Sequence, residues 1–354
     1  MKIQNINSGQ IFTPPGFQGL LPADASYTSL VNGKTLDAAW GLEMEVPQNG
    51  LASPQGRPWL RIWGISLAEI AQANNLGPTA SGGFTNNIFI YGGMAAGLPL
   101  ANPKQSGLLF SGTIEQCWGN WIGTAMTLDF IIMPGTTTGV AGGIGTIVQP
   151  KNIVLNWKAG QTLATALASS LSTAFPNYKQ SISISSNIIR QNDETGYFPT
   201  LEQLAQYCRQ TSFDIIKTSG YLGVSIVLQG DVLSVTDGSA QGGQGGSKGK
   251  MISFTDLIGQ PTWIENQQIQ IKTVMRADLN FGSQITLPPT LITNTQQANS
   301  NLVNQKLAFQ GGFSVVSIRH FGDYRNPSPD SWCTLINAVP NQQETSSVSS
   351  KSAA

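Results

Sequence analysis

Few side chains in this sequence could do chemistry. His320 is the sole histidine, and Cys117, Cys208 and Cys333 are the only cysteines. A serine triad would have to use His320, which ends an alternating strand with Val316 and Ile318 on its face, and no Gly-x-Ser-x-Gly elbow accompanies it. It reads as a satisfied, partly buried structural histidine. A single histidine also excludes HExxH-type metal sites and multi-histidine centres. The cysteines stand 91 and 125 positions apart, which makes neither a CxxC clip nor a disulfide framework, and a reduced compartment fits. Cys208 falls on an apolar helix face, while Cys117 and Cys333 adjoin Trp118 and Trp332, so all three read as small core hydrophobes.

Glu43 and Glu45 share one face of an expected strand, as a glycosidase pair might. Carboxylates on the wet face of an amphipathic strand explain them more simply. Asp193-Glu194 lies in a turn. Asn32-Gly33-Lys34-Thr35 resembles the end of a phosphate-binding loop, but Thr28 stands where the first Gly is required. Gly142-Gly143-Ile144-Gly145 lacks the third Gly at the right offset, and Lys248-Gly249-Lys250 runs into Met251. The last two lysines could touch a phosphate backbone, yet two charges supply little affinity. The residues thus point to no enzyme, cofactor or metal.

The elements that would position a site are bounded by composition. A length of 354 residues suggests two to three domains at roughly 150 residues each. Charged residues make up 11% and cancel to zero net charge, which argues against a dedicated nucleic-acid binder. With 40% hydrophobic residues the chain can bury real cores. Met1 to Gln10 has no apolar stretch of a signal peptide, and Leu128 to Met133 is far too short to span a membrane. Synthesis in the cytoplasm is expected. So poor a supply of charge leans towards assembly, because charges are depleted at the centres of protein–protein interfaces.

Two Gly-rich stretches cut the chain, at 136–149 and 237–250. The expected order is an arm at 1–24, a β-domain at 25–135, a small α+β domain at 150–236, a second β-domain at 251–340, and a disordered tail at 341–354. The middle piece carries the expected helices. Leu163, Leu167, Leu171 and Phe175 recur every four residues, and Thr200-Leu201-Glu202-Gln203 has capping-box form ahead of Leu204, Ala205 and Cys208. Ser181 to Ser185 alternates as a strand, and Leu222–Leu228 with Val232–Val235 reads as a hairpin. The outer pieces read as strands at Ile88–Tyr91, Leu108–Phe110, Thr127–Met133, Gln268–Val274, Gln284–Leu287, Phe313–Ile318 and Thr334–Val339. They also echo one another. Trp118-Gly119-Asn120 and Phe321-Gly322-Asp323 each close a strand that opens with Gly, and a one-residue offset between the two units is what a β-bulge would absorb. A duplicated β-domain is expected.

Three stretches resemble the baseplate hub proteins of contractile-tailed bacteriophages. The first is Ile90-Tyr91-Gly92-Gly93-Met94 through Gly112-Thr113-Ile114-Glu115-Gln116-Cys117-Trp118-Gly119-Asn120. The second is Asp256-Leu257-Ile258-Gly259-Gln260-Pro261-Thr262-Trp263 with Arg276-Ala277-Asp278 and Phe281-Gly282-Ser283. The third is Ile318-Arg319-His320-Phe321-Gly322-Asp323-Tyr324-Arg325 with Trp332. The resemblance implies a mainly β fold of two tail-tube-like β-barrel domains with an α+β insert. It implies a homotrimer in the virion baseplate whose six barrels adapt a six-fold tail tube to a three-fold spike or tip. Its partners would be its own copies, the tail tube protein, the spike or tip protein, the tape-measure protein and other baseplate components, with only passive contact to phage DNA. The polar stretch 290–310, with Thr290, Asn294, Gln297, Asn301 and Gln305, is a candidate docking loop or a solvent loop. The alternative reading is another tail-tip or tailocin ring component that binds host carbohydrate.

Overall fold

The computed structural model describes residues 1–15, 24–29, 41–49, 57–79, 85–94, 100–135, 152–176, 178–217, 221–229, 232–237, 249–265, 268–288, 311–323, 325–328 and 330–340. The first half of the β-structure holds β1 (Lys2–Asn5), β2 (Gly41–Asn49), β3 (Trp59–Trp63), α1 (Leu67–Leu76), β4 (Asn86–Gly92), β5 (Gly107–Ile122) and β6 (Ala125–Pro134). Strict alternation makes β3: Leu60 and Ile62 are buried, and Trp59, Arg61 and Trp63 face the other way. Two elements depart from the sequence reading. The start of the expected arm is β1, paired antiparallel with β4, and Met1 and Ile3 belong to the core. The first half also contains a helix. Ser66 caps α1, accepting from the Glu69 amide at 3.3 Å, while Glu69 Oε2 accepts from the Ser66 amide at 2.7 Å.

The middle unit comprises β7 (Ile153–Trp157), α2 (Leu163–Ala174), β8 (Lys179–Ser183), β9 (Glu194–Phe198), α3 (Leu201–Ile216), β10 (Ser225–Gln229) and β11 (Val232–Thr236). Leu163, Leu167, Leu171 and Phe175 are buried as their spacing requires, together with Leu201, Leu204, Ala205 and Cys208 of α3. The Thr200 hydroxyl accepts from the Gln203 amide at 3.2 Å and starts that helix. The expected hairpin of β10 and β11 is present, extended by β8 running parallel to β11. Asp237, expected at the head of a linker, instead finishes this unit by accepting from the Ser185 amide and the Tyr221 hydroxyl.

The second half holds β12 (Lys250–Met251), β13 (Thr262–Glu265), β14 (Gln268–Val274), β15 (Gln284–Leu287), β16 (Gly311–Asp323) and β17 (Trp332–Pro340). The main sheet runs β1-β4-β5-β6-β3-β2-β16-β17-β14-β13, with β15 on the start of β16 and β12 on β15. The chain is therefore mainly β, with three α-helices among the described residues. The outer pieces are not two separate closed barrels. Among the described residues their strands form one open sheet, joined where residues 317–323 of β16 pair with residues 43–49 of β2.

The two halves repeat one plan. Each reads along the chain as strands a to f, and each lies in the sheet in the order a-d-e-f-c-b. That order is β1-β4-β5-β6-β3-β2 in the first half and β12-β15-β16-β17-β14-β13 in the second. Strand a alone differs in direction, since β1 is antiparallel and β12 parallel to its neighbour. Both e–f hairpins carry one bulge at the same place. In β5–β6 the register shifts at Glu115, after Gly112 pairs with Pro134. In β16–β17 it shifts at Val316, after Phe313 pairs with Pro340. A bulge re-aims its side chain. Val316 accordingly packs with Val227 of the middle unit, and Phe281 and Val339 complete that small cluster.

Candidate functional site

Past the bulges, the continuous sheet has one apolar and one polar face. Leu60, Ile62, Met44, Val46, Ile318, Ile336 and Ile271 lie on the buried side. The other side carries a row of charge across paired strands: Trp118, Asp129 and Arg61 occupy directly opposed positions on β5, β6 and β3, and Glu43 follows on β2. Most of the charge on this face is neutralised locally. Arg61 Nε donates to fully buried Asp129 at 2.6 Å, and the guanidinium lies 5.0 and 5.5 Å from the rings of Trp59 and Trp63. Arg319 of β16 pairs with Glu45 of β2 across the joint, and Lys272 donates to Asp330 at 2.7 Å. Trp63 Nε1 donates to Glu43 at 3.3 Å. The two glutamates thus lie on the polar strand face that the sequence suggested. The Arg61–Asp129 pair is a feature the sequence reading missed, although the alternation of Trp59 to Trp63 was its visible signal.

The repeat residues sit at the ends of the long e strands. Asn120 donates to Asp129 at 3.0 Å, and the Asp323 amide donates to Ser331 at 2.6 Å. Phe321 lies under the Arg319 guanidinium. Gly119 and Gly322 each allow a close approach: an added Cβ would stand 2.7 Å from Ile70 of α1 in one case, and 2.7 Å from Trp332 and 2.8 Å from Met44 in the other. Counted from the matched bulges, however, Trp118 corresponds to Arg319, Gly119 to His320 and Asn120 to Phe321. The register sets the motif two positions from the equivalence read off the sequence. A shift of two keeps every side chain on its face, so the spelling of the motif could not reveal it.

His320 is enclosed on the core face, with Nδ1 2.9 Å from the Thr334 hydroxyl, and burial pushes its imidazole down to about 4. It is held neutral and takes no carboxylate partner among the described residues. Cys208 and Cys333 are buried and Cys117 half-buried against the first core, and burial raises all three thiols. Among the described residues no group of His, Cys, Asp or Glu is placed to hold a metal ion, and no helix is long and apolar enough to cross a membrane.

The halves are also tied across their connection. Arg276 is buried and bonds Asp278 through Nε and Nη2 at 2.7 and 2.8 Å, and Asp256 through Nη1 at 3.3 Å. Burial alone would raise the Asp278 carboxyl, but the Arg276 guanidinium holds it below the usual carboxylate range. Gln105 of the first half donates to Asp256 at 3.1 Å and accepts from the Ala277 amide at 2.7 Å. Trp332 Nε1 donates to the Gly93 carbonyl at 2.9 Å, and Met275 sits in the first core. The candidate docking residues Thr290, Asn294, Gln297, Asn301 and Gln305 lie outside the described residues, as do the 136–149 stretch and Lys248.

Comparison with family models and with curated proteins gives no match. Among solved structures, the chain is similar to a tail protein from Neisseria meningitidis MC58, at a TM-score of 0.47 and 9% identity over 96% of both chains. It is also similar to the 43 kDa tail protein of prophage MuSo2 from Shewanella oneidensis, at a TM-score of 0.44 and 9% identity, covering 96% of this chain and 98% of that one.

Proposed function

We propose that the chain is a structural component of a bacteriophage tail, a baseplate hub that acts as a homotrimer. The observation that carries this reading is the repeated a-d-e-f-c-b plan with matched bulges. Two quasi-equivalent units per chain become six in a trimer, and six units can meet a six-fold tail tube while the trimer itself meets a three-fold spike or tip. The sequence resemblance to hub proteins points the same way. In the assembled ring the open sheets would together form the barrel-like wall, with the polar face towards the channel. Its charges largely cancel in pairs on the protein itself, so passing DNA or tape-measure protein would meet a wall with few charges to hold it. Tube and spike would then stack on opposite rims, in the virion rather than in a free enzyme. The test is the native mass and symmetry of the purified protein. A trimer with six similar lobes around a channel supports the reading, and a monomer at concentrations well above micromolar opposes it.

A further inference from the structure

Beyond the joint between the two halves, two matching strand edges have no further strand beside them among the described residues. The second edge of β16 is shared: β15 lies along 311–314, and β2 lies along 317–323. The equivalent edge of β5 has β4 along 107–113, but no strand follows residues 116–122 among the described residues. The counterpart of β2 in the second half is β13, the last strand of the sheet.

Large exposed apolar side chains gather at these two places. Trp118, Trp121 and Ile122 of β5 are 36, 62 and 76% exposed, and Trp263 and Ile264 of β13 are 44 and 42% exposed. Long apolar edges left open invite pairing, which natural sheets normally guard against with charge. Residues 116–122 of β5 carry no charge, and β13 carries one charged residue, Glu265 at its end.

We infer that β13 of one protomer pairs antiparallel with residues 116–122 of β5 in a second copy, so the sheet passes from chain to chain as it passes from half to half. This rests on the trimeric ring proposed above and names the strands that close it. The register follows from the internal joint. There Phe321 pairs with Glu45 and His320 with Val46. Through the bulges, Phe321 corresponds to Asn120 and His320 to Gly119. Through the c strands, where Glu45 faces Trp59 and Thr262 faces Gln270, Glu45 corresponds to Thr262 and Val46 to Trp263. Thr262 therefore meets Asn120, and the large Trp263 meets Gly119. The charged pair of the internal joint, Glu45 with Arg319, is replaced by Thr262 and Trp118, so that ion pair has no counterpart between chains.

Within one chain β5 and β13 are seven strands apart in the order of the sheet, and a link formed inside one chain would leave a monomer on a denaturing gel, so covalent dimers and trimers report only links between chains. Directly opposed residues of an antiparallel pair have Cα atoms about 4.5–5.5 Å apart, within disulfide range. Mild oxidation of an Asn120→Cys/Thr262→Cys variant should give covalent dimers and trimers on a denaturing gel. Each single variant, which keeps the three native cysteines, should give none. Hydrogen exchange on the unmodified protein provides a second reading, with amides in 116–122 and 262–264 slowed in the assembled form. A trimer whose double variant does not link and whose edges exchange freely overturns the edge pairing and leaves the trimer standing. Linkage only in a Trp118→Cys/Thr262→Cys variant overturns the register. An unmodified protein that stays monomeric overturns the ring, and the pairing with it.

Discussion

Replacing Arg276 by Met tests how the halves are held together. The side chain is 2% exposed and makes two bonds to Asp278 and one to Asp256. Asp256 keeps donors from Gln105 and the Ser253 amide, so the loss falls mainly on Asp278, left with a backbone amide and with Lys250 at 3.9 Å. Removing one partner of a buried ion pair costs about 3–5 kcal/mol. The surviving donors favour the lower end, and about 3 kcal/mol corresponds to roughly a hundredfold in the folding equilibrium. The pH dependence gives a second signature. In the natural protein the Asp278 carboxyl is depressed, so its contribution is present above the unfolded value near 3.8 and is lost as pH falls through the folded value. In the variant, only Lys250 and a backbone amide still oppose burial, so that carboxyl rises from its place in the natural protein, acid relieves part of the penalty, and the gap between the proteins narrows towards pH 4. Urea titrations at pH 7 and pH 4.5 measure both effects. Asp278→Asn added to Arg276→Met should recover part of the loss at pH 7. An unchanged midpoint, or a deficit that acid does not reduce, would show that the Arg276–Asp278 pair does not hold the fold together.

Three further outcomes are expected. The His320 imidazole is pushed to about 4 in the fold against 6.5 when free, so stability should fall as pH drops from 6.5 to 4, by up to about 1.4 kcal/mol per pH unit; a His320→Gln variant should flatten that slope in pH-resolved unfolding. Gly119→Ala should cost about 1–3 kcal/mol through overpacking against Ile70, whose Cγ2 would stand 2.7 Å from the new methyl, and an Ile70→Ala background, which removes that carbon, should reduce the cost; equal costs in thermal unfolding of both backgrounds would show that the contact is not the cause. Ser66→Ala should destabilise by about 1 kcal/mol through loss of the α1 cap, measured as a shift of the urea midpoint.

Much of the fold was legible because period and punctuation are local. The strand at Gln284–Leu287 and the stripe from Leu163 to Phe175 carry their own patterns, and the structure places both where those patterns end. α1 escaped notice because its ten residues, Leu67 to Leu76, mix Ala, Gln and Asn with few large apolar positions, although Ser66 and Glu69 spell a capping box. β1 was hidden because four residues give too short a run to show alternation. The candidate surface was less legible for a different reason. Which edge of β16 meets β2, and which edge of β5 is left over, are long-range pairings that no local pattern encodes. The duplication could be heard in Trp118-Gly119-Asn120 and Phe321-Gly322-Asp323, but its register needed the bulges at Glu115 and Val316.

In the proposed ring, three chains supply six quasi-equivalent units. Sedimentation equilibrium of the purified chain at low and high salt tests it most directly. The expected species has three times the 37.6 kDa chain mass at both salt concentrations, because screening acts on charges and Asn120, Gly119, Thr262 and Trp263, which meet in the proposed joint, carry none. A monomer in both conditions at tens of micromolar, or a trimer that dissolves as salt rises, would contradict it.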